Sequence, residues 1–288
     1  MYNLLIAPFA EFEFMRRALV GVVAIGLGGA PVGVFLMLRR MSLTGDAMAH
    51  AILPGAALGY LVAGLSLPAM TLGGILAGIL VAVSAGLVAR FTALKEDASL
   101  AAFYLISLAL GVTIVSLRGS NVDLLHVLFG TVLALDDAAL LLLAGIATVT
   151  LGTLALLFRP LVLECVDPTF LRSVSRAGGP THLVFLALVV LNLVGGFQAL
   201  GTLLAVGLMM LPAAAARFWS QDVTAMIGIA TALAIVSGAF GLVLSYHAEL
   251  PSGPAIILVA GGAYLVSMTL GREGGLLWLA RPGKHLEA

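Results

Sequence analysis

The chain reads as a succession of long apolar runs parted by short stretches where charge, proline and glycine collect. Runs long enough to cross roughly 30 Å of hydrocarbon fall at 15–38, 41–64, 69–91, 98–118, 136–158, 182–199, 202–216, 223–247 and 254–271. This pattern predicts an all-α polytopic membrane protein of about nine transmembrane helices, a single transmembrane domain over 1–288 with a tail from 272 to 288. The apolar stretch from Leu183 to Ala216 would be about 51 Å long as one helix. The segment Gly195-Gly196-Phe197-Gln198-Ala199-Leu200-Gly201 offers a break there, giving two short spans; merging them would leave eight.

Orientation follows from the basic residues. With the N-terminus outside, Arg39, Arg40, Arg90, Lys95, Arg159, Arg172, Arg176, Arg217, Arg272, Arg281 and Lys284 lie inside, against Arg16, Arg17 and Arg118 outside. That bias predicts N-terminus out and C-terminus in, and it fails if the sixth and seventh spans merge. Residues 119–135 hold an apolar segment too short to cross, expected as an interfacial or re-entrant helix at the outer mouth. Residues 248–254 form a Pro- and Gly-rich outer turn.

The longest inside connection, ECVDPTFLRSVSRAGGP at 164–180, carries helix punctuation: Asp167 at the N-cap, Pro168 at the first helical position, Gly178 at C′ and Pro180 as the stop. The expected helix sets Phe170, Leu171 and Val174 on one side and Arg172, Ser173, Ser175 and Arg176 around the rest. A helix of about ten residues is marginal alone, so it needs a surface: a partner protein, or the membrane face itself.

Composition narrows the class. The chain is 61% hydrophobic and only 10% charged, with 34 glycines, which excludes an ordinary soluble domain. Its zero net charge leaves no basic stripe for nucleic acid. The one cysteine, Cys165, excludes a disulfide framework and a thiolate metal cluster. The start, MYNLLIAPFAEFEF, has no basic n-region, so no cleavable signal is expected. A phosphate-binding GxxxxGK[ST] loop is missing from the sequence, as are HExxH and GxSxG; neither ATP hydrolysis nor proteolysis by this chain is expected.

The candidate chemistry lies in RRMSLTGDAMAHAILPGAALG, residues 39–59. Paired arginines and a Ser-Leu-Thr-Gly break precede Asp46 and His50, whose four-residue spacing puts both on one helical face, with His50 near the bilayer midplane. Ionisable groups at that depth are costly unless paired or functional. A carboxylate and an imidazole are ligands suited to Zn²⁺, Mn²⁺ or Fe²⁺, and a two-fold dimer would supply two of each. The alternative makes Asp46 the N-cap of a helix starting at Ala47 and His50 a satisfied interior residue. Pro54 can kink or open the helix, and Gly55 and Gly59 form a small-xxx-small contact pair. Asp123, His126, His247 and Glu249, read at the outer mouth, either attract cations or are solvated loop residues. His182 reads as interfacial, His285 belongs to the tail, and Met209 and Met210 read as packing residues.

The segments RRMSLTGDAMAHAILPGAALGYL (39–61), VDLLHVLFG (122–130), GTLLAVGLMMLPAAAARFW (201–219) and LSYHAELPSGPAIIL (244–258) resemble the membrane permease subunit of the ABC-3 family, the zinc, manganese and iron importers of bacteria. The most specific match is the GD-xxx-HA-xxPG core. The resemblance implies a type II importer permease in the bacterial cytoplasmic membrane, working as a homodimer or paired permease with two cytoplasmic ATPase subunits and an extracytoplasmic solute-binding protein. It implies no permanently bound cofactor. Asp46 and His50 match the family's intramembrane metal pair, with zinc the first expectation as cargo and manganese or iron next; 167–178 matches its coupling helix. His247-Ala248-Glu249-Leu250 departs from relatives that carry an aspartate in that outer turn. The competing readings are a secondary transporter driven by an ion gradient, an ABC permease for a metal chelate or vitamin, and a membrane scaffold.

Overall fold

The apolar runs fold into helices that pack around buried Phe, Leu, Ile, Val and Met side chains, with glycine and alanine at the closest approaches. The computed structural model describes residues 6–64, 66–94, 96–117, 135–167, 170, 171, 173, 175 and 178–279. Its helices are α1 (Ala7–Glu11), α2 (Glu13–Leu38), α3 (Ser42–Ala51), α4 (Leu53–Ala63), α5 (Leu67–Phe91), α6 (Glu96–Leu117), α7 (Asp137–Val166), α8 (Gly178–Leu200), α9 (Thr202–Ala216), α10 (Val223–Ala248), α11 (Ser252–Leu270) and α12 (Leu276–Leu279). Among the described residues, seven segments are long and apolar enough to cross a membrane: α2, Thr44–Ala63, Leu67–Val88, α7, α8, α10 and α11. Two shorter apolar helices, Ala98–Ile114 and Thr202–Ala216, account for the other two predicted spans. The re-entrant segment expected at 119–135, with Asp123 and His126, lies outside the described residues except for Leu135.

The sixth and seventh spans are separate. Gly201 takes φ 93°, ψ 158°, a conformation suited to glycine, and the chain folds back there. A Cβ on Gly196 would run into Ala205 across the turn. The break therefore sits at the last residue of the predicted segment, and Gly195 and Gly196 stay helical. At 15 residues α9 rises about 22 Å, too little to cross alone; it packs against α2, α3, α8, α10 and α11.

Close backbone approaches define the layout. Gly33 on α2 lies against the Met209 carbonyl of α9, Gly238 on α10 against Val22, and Gly26 against Ala234. Because lipid supplies no hydrophobic drive between helices, such small-residue contacts and buried hydrogen bonds hold them together. Asn192 on α8 shows the second kind, donating to Thr150 Oγ1 of α7 at 2.8 Å. The ends of α2, α7 and α9 and the start of α8 gather at one end of the bundle. Arg39 meets Glu164 and His182 there, and the turn after α9 bonds the turn after α11 through Glu273 N–H to the Phe218 carbonyl. At the opposite end Arg17 pairs with Asp137 at 3.2 Å. Arg39, Arg217 and Arg272 thus lie at one end and Arg17 at the other, as the charge bias requires.

Candidate metal path

Helix α2 ends in a Schellman turn: the Met41 N–H bonds the Leu36 carbonyl at 2.9 Å and the Arg40 N–H the Met37 carbonyl at 3.0 Å. Arg40 takes the left-handed position at φ 58°, where glycine is the usual residue. The chain then enters α3 at Ser42. The Ser-Leu-Thr-Gly stretch read as a break is helical, because Gly45 provides room for Met209 and Met210 of α9. Helix α3 begins four residues before Asp46 and its N-cap is Met41, so Asp46 is an interior residue and the capping alternative does not hold.

Asp46 and His50 share one face of α3, with Asp46 Oδ1 3.9 Å from His50 Nε2. The Asp46 side chain is 65% exposed and that of His50 30%, whereas Thr44, Met48 and Ala51 on the rest of α3 and Ile52 at its C-cap are buried. The pair faces outward from this chain, where a ligand or a second copy can reach it. The His50 ring lies beside that of Tyr104 on α6, with centroids 6.3 Å apart and planes 30° from parallel. Among the described residues no group of three or more His, Cys, Asp and Glu is placed to hold a metal ion, so Asp46 and His50 do not make a complete site within one chain.

The span breaks just beyond His50. Pro54 has no N–H to give the His50 carbonyl, and the Ile52 N–H points to Met48 and His50 instead. Ser107 of α6 donates to the buried Ala51 carbonyl, freed at the end of α3, at 2.8 Å, satisfying a helix end inside the bundle. Beyond the break α4 is clamped to α5: Gly55 and Gly73 approach so closely that a Cβ on either would overlap the other's carbonyl, and Gly59 lies against Ala69. The Gly55/Gly59 pair thus makes a contact within the chain.

The connection after α7 starts as expected. Asp167 Oδ1 accepts from the Phe170 N–H at 2.8 Å, and the Leu171 and Ser175 amides make successive helical bonds to Asp167 and Leu171. Phe170 is exposed and Leu171 buried. Pro168, Arg172 and Val174 lie outside the described residues. Gly178 and Pro180 belong to the first turn of α8 and do not terminate the preceding helix, since Pro180 lacks an N–H that the first turn does not need. At the end of the bundle away from Arg39, His247 and Glu249 are exposed; the His247 ring meets Tyr246 edge-on at 5.2 Å, and Glu249 turns the chain at φ 54°.

Three features lay beyond the sequence reading. Tyr104 and Ser107 support α3 from α6, and Glu164 sits in a buried pair with Arg39. The signal for Glu164 was present: a carboxylate in the last turn of an apolar helix lies where the helix dipole disfavours it.

The fold as a whole matches solved transporters. PsaBC from Streptococcus pneumoniae, in complex with Fab, superposes with a TM-score of 0.85 at 28% identity, covering 97% of this chain and 99% of that one. An inward-facing ABC transporter at 14% identity, TM-score 0.71 and 88% coverage of this chain shares the fold. These likenesses and the helical layout define a type II ABC importer permease, a non-catalytic multi-pass subunit of a bacterial importer. Residues 11–271 match the ABC 3 transport family, and the chain belongs to that family, the permeases of manganese, iron and zinc importers. Relatives include the manganese import system permease protein ScaB of Streptococcus parasanguinis, 32% identical over 89% of this chain and 90% of the relative. The manganese transport system membrane protein MntC of Halalkalibacterium halodurans is 28% identical over 96% of this chain and 95% of its own. The chelated iron transport system membrane protein YfeD of Yersinia pestis is 29% identical over 93% and 89%.

Proposed function

We propose that this chain is the permease of a divalent manganese or iron importer, and that two copies, or this chain and a paired permease, bring two Asp46 and two His50 side chains together as the ion's way station. The observation that carries the reading is the Asp46/His50 pair on the open face of a ten-residue half-helix that stops at a proline. Four oxygen and nitrogen ligands suit Mn²⁺ and Fe²⁺, and without thiolate the ion is held loosely enough to leave. The same donors accept Zn²⁺, the first expectation from sequence; the names of the relatives favour manganese and iron over it.

In this mechanism a solute-binding protein delivers the ion at the outer end, where His247 and Glu249 add attraction for a cation. Two cytoplasmic ATPase subunits engage the connection beginning at Asp167, with Phe170 as the exposed anchor. Their closure on ATP tilts the spans and opens the Asp46/His50 face inward. The basic end of the bundle faces the cytoplasm, which puts the N-terminus outside. The deciding experiment is uptake of ⁵⁴Mn²⁺, ⁵⁵Fe²⁺ and ⁶⁵Zn²⁺ into vesicles carrying this chain with its ATPase. ATP-dependent manganese or iron uptake that disappears in Asp46→Ala and His50→Ala supports the assignment. Normal uptake in both variants refutes the site, and uptake without the ATPase points instead to a gradient-driven transporter.

A further inference from the structure

The buried charges at the basic end of the bundle are unlike anything else described in it. Arg39 Nη2 lies 2.7 Å from Glu164 Oε1 and 2.7 Å from His182 Nδ1, while His182 Nδ1 is 3.6 Å from Glu164 Oε1. A guanidinium only donates, so Nδ1 accepts here. The Arg39 and Glu164 side chains are 9% and 4% exposed, and the guanidinium also covers the Phe185 ring at 4.9 Å.

Stability does not account for the arrangement. Burying two charges costs about what their attraction returns, and an apolar pair of similar volume is often as good or better. Glu164 also sits in the last turn of α7, where the helix dipole opposes a carboxylate. Nor is the pair saturated: among the described residues, Arg39 Nη1 and Glu164 Oε2 are buried without a hydrogen bond. A pair meant only for rigidity would close both prongs of the fork.

Its position along the chain gives it a use. Glu164 lies three residues before the Asp167 cap, and His182 lies in the first turns of α8, so Arg39 grips both flanks of the α7–α8 connection. Arg39 is itself the C-cap of α2, joined by the Schellman turn to α3 and hence to Asp46 and His50. We propose that Arg39, held by Glu164 and His182, is a positioning residue that ties the α7–α8 connection to α3, so that movement of that connection shifts the Asp46/His50 face.

This rests on the permease reading above, with the α7–α8 connection engaging the ATPase. The test uses the complete importer in vesicles, comparing wild type with the paired variant Arg39→Met/Glu164→Leu and with Arg39→Lys. The paired variant removes both charges, so neither is left buried alone. It should assemble and hydrolyse ATP within about twofold of wild type while metal uptake per ATP falls about tenfold, the scale of an ordinary coupling energy. Arg39→Lys should recover part of the ratio, since one ammonium donor replaces the fork. A paired variant with the wild-type ratio overturns the inference, and so does loss of assembly, which would make the pair a structural element only. If wild type shows no ATP-dependent uptake, the permease reading fails and takes this inference with it; a working wild type separates the two.

Discussion

Asp46 and His50 are separated by one helical turn, yet their surroundings differ: the carboxylate stands open and the imidazole is partly walled by Tyr104. Tyr104→Phe should therefore leave the ring packing intact and transport nearly unchanged, whereas Tyr104→Ala should free the imidazole and weaken metal affinity several-fold, as read by uptake against ion concentration. Arg40 offers a contrasting test of the local backbone. It holds a left-handed turn at φ 58°, so Arg40→Gly should raise stability by about 0.5–1 kcal/mol, measured as a shift in the thermal midpoint in detergent. Asp167→Ala removes the one side-chain cap of its short helix and should cost about 1 kcal/mol locally, visible as faster hydrogen exchange at the Phe170 amide.

Among the elements, the α4–α5 contact is a direct test of packing. Gly55→Ala or Gly73→Ala drives a methyl into the facing carbonyl and should destabilise the protein by about 1–3 kcal/mol, seen as a lower thermal midpoint and reduced yield. Gly201→Ala should cost about 1–3 kcal/mol through the backbone alone. Most of these elements were legible in the sequence because apolar run length reports directly on crossing and basic-residue placement on which helix ends gather together; separating α8 from α9 at a glycine needed nothing more. Helix starts were less legible. Ser-Leu-Thr-Gly has the composition of a loop, but Gly45 lies in a helix against two methionines from a chain segment about 160 residues away. Similarly, Gly178 and Pro180 suit the end of one helix and the start of the next equally well, and only the course of α8 decides. In the site, the Asp46/His50 spacing was readable as a shared face, while its supports, Tyr104 and Ser107, come from α6 through contacts that no local pattern encodes.

At the scale of the molecule, the bundle divides into parts with different packing. Helices α2, α7, α8, α9, α10 and α11 form one body, α4, α5 and α6 another, and α3 and α8 touch both. Both halves of the second span pack on α6, but α3 also meets the Arg39 turn, α8 and α9, whereas α4 is held chiefly by α5. In the mechanism proposed above, the interruption at Ile52 is where the difference between the halves is absorbed, and Pro54→Ala should slow uptake by favouring a continuous helix while raising thermal stability. Faster uptake in that variant would contradict this role.

The interruption also means that a single crossing of the bilayer has two owners. The segment beyond Leu53 is bolted to a neighbouring wall by apposed glycines; the segment before Ile52, which carries the acid and the imidazole, hangs from the arginine turn. Substitutions should sort accordingly: those at the apposed glycines registering in melting curves with little change in ion preference, those at Asp46 and His50, on the open face, altering which ion is carried with little change in melting.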